Sequence, residues 1–191
     1  MEIYQLITFL VDKAFGNDKF QKMLSIFREE INISLNENKI TEFLVMSFDS
    51  SVNIEKDFCL SDIFEPPVLT QANGSYVAMN QGILLTLDRM EGRKALYRSE
   101  DITARRSMLI LVASRIPTDS EYESQALSAL KDAVDNKRIS YVPFLDEDIT
   151  PEQLEKHCYP RYPNVPKATE RNIRELFRWH GNQFLKYIFG D

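Results

Sequence analysis

The chain is poor in the side chains that most often carry chemistry. It has two cysteines, Cys59 and Cys158, and two histidines, His157 and His180, among 191 residues. Two cysteines far apart in sequence do not make a disulfide framework, and a reduced, intracellular compartment is the simplest expectation. No histidine–cysteine pair has zinc-finger spacing. Basic residues are also in deficit: 23 Lys and Arg stand against 29 Asp and Glu, a net charge of −6. That balance argues against nonspecific nucleic-acid binding. No apolar run is long enough to cross a membrane. The first, Ile3 to Val11, is too short, follows Glu2 and lacks the basic start of a signal peptide. A cytoplasmic protein without a membrane partner is expected. Gly-x-Gly-x-x-Gly, the Walker A lysine motif and Gly-x-Ser-x-Gly are all missing. Neither histidine has a recognisable nucleophile partner, so the expectation is not an enzyme.

What is present is alternation. At 191 residues one domain suffices, burying roughly 70% of its unfolded surface. Apolar strands are read at 3–11, 39–48, 52–60, 108–112 and 139–145. Helical spacing is read at 18–36, capped by Asn17 or Asp18, at 76–90, from Asp119 through Val134, and at 169–188, with a short helix near 151–156. This predicts an α/β, doubly wound, mostly parallel sheet with helices on both faces. Ser50-Ser51 is short enough for a hairpin, which makes the third strand an antiparallel edge. Residues 91–106 are polar and predict the main long loop.

The first strand runs into Asp12-Lys13-Ala14-Phe15-Gly16 and then a helix. Later come Phe48-Asp49-Ser50-Ser51, Ala72-Asn73-Gly74-Ser75, the run Leu111 to Asp119, and Leu176-Phe177-Arg178-Trp179. Taken in order, these segments resemble the von Willebrand factor A domains of bacterial tellurium-resistance type. The resemblance implies an interaction module rather than an enzyme. It also implies stress-response surroundings, with a Ser/Thr kinase or a protein phosphatase as partner.

In that family Asp-x-Ser-x-Ser supplies a carboxylate and two hydroxyls to a divalent cation. Here Ala14 and Gly16 replace the serines, Ser75 stands at the family's threonine, Ser114 at its second aspartate and Arg115 at its glycine. A retained Mg²⁺ site would have only Asp12, Ser75 and Ser114, a poor set for a hard cation. No cofactor or metal is therefore expected, and the degenerate site is expected to leave a partner-binding face of Asp12, Lys13, Asp49, Ser75, Arg115 and Asp119. A buried Asp12 needs a hydrogen-bonding or cationic partner, for which Lys13 and Arg115 are the candidates. Otherwise Asp12 caps the first helix. A weakened metal-dependent adhesion module and a doubly wound enzyme or nucleotide-binding protein are the alternatives. His180 is expected on the apolar face of the last helix. The basic segment Arg89 to Arg106 reads as a solvated loop, with docking of an acidic partner as its functional alternative. Tyr159, Tyr162, Phe177 and Trp179 read as packing of the last helix onto the sheet, with an exposed apolar patch as the functional alternative.

Overall fold

Continuous apolar runs bury both faces of a strand, and the two central strands are of this kind. In the computed structural model, which describes residues 3–34 and 39–175, β1 (Ile3–Asp12) and β4 (Ser107–Ala113) are flanked by β2 (Lys39–Phe48), β3 (Val52–Leu60) and β5 (Ile139–Leu145). The sheet order is β3-β2-β1-β4-β5. All pairs are parallel except β2 with β3, which run antiparallel through an irregular register near Val45. This is the mixed α/β sheet that the strand pattern predicts.

The pleat sends alternate side chains to opposite faces. Leu6, Leu10, Leu44, Leu109 and Leu111 pack under α2 (Met79–Ser99) and α3 (Ser120–Asp135). Ile7, Phe9, Val11, Phe43 and Ile110 pack under α1 (Asn17–Ser34) and Ile173 of the helical turn at 170–175. On this second face Phe27 sits edge-on to Phe9 and Phe43, with ring centroids 5.1 and 5.5 Å apart. Each fully buried phenylalanine contributes about 2–3 kcal/mol of burial.

Three boundaries differ from the sequence expectation. α2 begins at Met79, not Tyr76, and continues to Ser99, so 91–99 is helix and not loop. α1 is entered through Gly16, whose carbonyl accepts from Phe20 N at 3.1 Å. Asn17 instead lies in the helix, where its side chain accepts from Leu69 N at 3.0 Å and fixes the strap after Pro66-Pro67. The short helix is a 3-10 run, Pro151–Cys158, that takes in His157 and Cys158. The last helix starts at 170, and His180 and Leu176 to Trp179 lie outside the described residues.

Candidate functional site

Parallel strands point their carboxyl ends the same way, and in open α/β sheets ligands bind there. Four chain segments meet at that end. β1 stops at Asp12 and β2 delivers Asp49. β4 is followed by Ser114 and Arg115, and β5 by Asp146.

Asp12 is 0% exposed. Its carboxylate accepts from Arg115 Nη2 at 2.6 Å and from Arg115 Nε at 3.1 and 3.2 Å, so both oxygens lie against the guanidinium. It also accepts from Ala14 N at 2.9 Å, which caps the 3-10 turn Lys13–Phe15 and not α1. Arg115 Nη2 reaches Asp49 Oδ1 at 3.1 Å, and Nη1 reaches the Gly74 carbonyl at 3.3 Å. Asp49 completes its shell with Asn73 N at 2.6 Å. Gly74 follows with φ of +91°, a conformation that favours glycine. One guanidinium thus ties the ends of β1 and β2 to the turn ahead of α2. Burial disfavours the charged arginine, but its bonds with Asp12 and Asp49 outweigh this and hold its pKa above the ordinary value.

Lys13 turns away from Asp12. It donates to Thr70 Oγ1 at 2.9 Å and pairs with Glu55 at 3.3 Å. Ser114 donates to Asp146 at 3.0 Å, and Asp146 is paired with Lys19 at 2.8 Å. Partial burial pushes the Asp146 carboxyl up, but the Lys19 pair and hydrogen bonds from Glu147 N and Ser114 together outweigh it and hold the group below its usual range. Ser75 is exposed, with no side-chain hydrogen bond among the described residues. Ser114 is thus spent on Asp146, and the Asp12 oxygens are already taken by Arg115. This donor set does not fit a hard divalent ion, and no group of three or more His, Cys, Asp or Glu among the described residues is arranged to hold one.

Asp119 stands before α3 but caps α2. It is 0% exposed and accepts from Gln81 N at 2.8 Å and from Asn80 Nδ2 at 2.9 Å. Asn80 Oδ1 in turn accepts from His157 Nε2 at 2.7 Å. Burial pushes the His157 pKa down to about 4, so the ring is neutral near pH 7. This Asp119–Asn80–His157 chain locks the loop after β4 onto α2 and the 3-10 run, and sequence reading missed it. Asp146 was missed too. Its signal was an acid immediately after an apolar strand, as at Asp12 and Asp49.

The Arg89–Arg106 segment is partly solvated, with Arg98 and Arg106 exposed, but three of its cations are paired within the molecule. Arg93 holds the buried Glu42 by a two-pronged ion pair, Arg89 pairs with Asp57, and Lys94 pairs with Glu91 at 3.3 Å. Tyr159 is half-buried with its hydroxyl on Asp135, and Tyr162 is exposed. Both cysteines are free thiols, and no helix among the described residues is long and apolar enough to cross a membrane.

No protein-family model and no curated protein matches this chain. Solved structures do. It is similar to proximal thread matrix protein 1 from the mussel byssus, at 12% identity and a TM-score of 0.56, over 95% of this chain and 46% of that one. It is also similar to a von Willebrand factor type A structure from Catenulispora acidiphila, at 11% identity and a TM-score of 0.52, over 93% of this chain and 42% of that one. The chain spans less than half the length of either. At these identities the likeness shows the fold, which is of the von Willebrand factor A kind.

Proposed function

We infer that the protein is a non-catalytic interaction module that engages a protein partner through the loops at the carboxyl end of its sheet, without a metal ion. One observation carries the reading: Arg115 lies between Asp12 and Asp49 and bonds both. It is a built-in cation where two carboxylates converge. A divalent ion bound there would have to displace it and leave the guanidinium next to a second positive charge. The loops are held in one arrangement by this pair from within, with Asp119 fixing them from below. Ser75 and the outer side of Arg115 are left to face a partner. The Ser/Thr kinase or phosphatase of a bacterial stress response belongs to the same proposal and rests on the tellurium-resistance resemblance.

The test is affinity capture from extract of the native host in magnesium and in EDTA, with Ser75→Arg beside the wild type. Ser75 is exposed, so the variant folds. The expected result is a partner retained in EDTA and lost from the variant. A partner lost in EDTA would overturn the reading. So would a magnesium-dependent rise in melting temperature, because a ligand that binds only the folded state raises it.

A further inference from the structure

Beside the Arg115 pair the surface is apolar and uncovered. Ile116 is 47% exposed and Tyr76 is 39% exposed. They belong to two loops that run together: Arg115 bonds Gly74, Thr118 N donates to the Val77 carbonyl at 3.1 Å, and Val77 N donates to Thr118 Oγ1 at 2.8 Å. Tyr76 is held upright by its hydroxyl, which donates to Glu121 at 2.8 Å. Two large apolar side chains exposed on loops that are bonded to each other make an anchoring patch of the kind partners cover.

The charge around the patch says what covers it. The segments at this end of the sheet, 12–19, 49–51, 72–81, 114–123 and 146–152, carry ten carboxylates. Against them stand Lys13, Lys19 and Arg115, plus Lys167, which donates to the carbonyls of Asp146 and Glu147 at 3.1 Å, and Lys156, which pairs with Glu123 at 2.6 Å. Ten against five leaves −5, most of the chain's net charge of −6. The protein's excess negative charge is therefore concentrated at the end that carries the apolar patch. Asp18, Glu147 and Asp148 are exposed there without an ion pair among the described residues. A field of this kind steers and selects an oppositely charged partner.

We propose that the Ile116–Tyr76 patch docks a basic polypeptide segment. An apolar side chain of that segment seats on the two residues, and flanking Lys or Arg meet the acidic rim. This deepens the interaction-module reading and rests on it. The probes are two synthetic peptides, one alternating Lys with Leu and one alternating Glu with Leu. Binding is followed by amide chemical-shift mapping and by titration at low and at high salt. The Lys/Leu peptide is expected to shift amides at 74–77, 114–118 and 146–148, and to weaken as salt rises. Glu147→Lys with Asp148→Lys is expected to weaken it about tenfold, the size of a few screened charge contacts. Ile116→Asp is expected to remove the shifts at 74–77. All three residues are exposed, so the fold is kept. Equal binding of the two peptides, shifts elsewhere only, no binding, or indifference to these variants would overturn the proposal. If a partner is still captured in EDTA and lost from Ser75→Arg, the module reading stands while this one falls.

Discussion

Arg93 and Arg115 each close over a buried carboxylate, but from different kinds of element. Arg93 projects from the middle of α2 onto Glu42 of β2, which is 2% exposed, and Tyr97 one helical turn on donates to the same carboxylate. Burial first, then the hydrogen bond to Glu42, pushes the Tyr97 hydroxyl well above its ordinary pKa. Helix and strand are both rigid there, and the arginine also lies over the rings of Phe58 and Tyr97, 5.2 and 5.3 Å from their centroids. Arg115 projects from a loop, binds two carboxylates from two strands, and keeps 22% of its side chain exposed. The first pair joins helix to sheet inside the body. The second organises loops whose outer side faces solvent. The same chemistry thus serves packing in one region and the presentation of a surface in the other.

The largest effects come from taking either arginine away. Arg93→Ala and Arg115→Ala each leave a buried carboxylate without its cation, and each is expected to cost about 3–5 kcal/mol in denaturant unfolding. The comparison sharpens when the charge is removed from both sides. Asp12→Asn with Arg115→Met is expected to recover most of the loss in stability while abolishing partner capture. Glu42→Gln with Arg93→Met is expected to recover stability and leave capture unchanged. Equal capture by the two double variants would break the distinction between the regions.

Next in size is a pH effect beneath the loops. The His157 pKa falls from 6.5 to about 4 on folding, so the unfolded chain binds the extra proton between those values. Stability from this residue is present above pH 6.5 and is lost as pH falls toward about 4, by about 3 kcal/mol in all. His157→Gln should flatten that part of the stability curve relative to wild type, measured by urea unfolding across the range. Asp119→Ala is expected to cost about 1–2 kcal/mol, since it removes the cap of α2 and the shorter of the two bonds that Asn80 Nδ2 makes to residue 119. The smallest effect is at the rim. Lys19 is 54% exposed at its side chain, and Lys19→Ala is expected to change stability by less than about 1 kcal/mol while increasing the salt dependence of binding to a basic partner, because it uncovers Asp146.

Much of this architecture follows from local pattern. Alternating apolar runs and helical stripes place five strands and three helices in order, because burying one face imposes its period on nearby residues. The end of α2 escaped for a physical reason. After Met90 its buried face continues through Arg93 and Tyr97, whose spacing is still helical but whose polar ends read as loop. Their stems and ring lie against the sheet, and their polar groups are satisfied by Glu42. Asp119 escaped because a side chain at the start of one helix caps another.

By itself the sequence determined the layered α/β sheet and the position of the acids at the strand ends. Only the tertiary structure decided that Arg115 and not Lys13 pairs with Asp12, that Ser114 turns to Asp146, and that the net charge gathers at the loop end. Periodicity is written in neighbouring residues, whereas an ion pair between positions 12 and 115 exists only once β1 and β4 lie side by side.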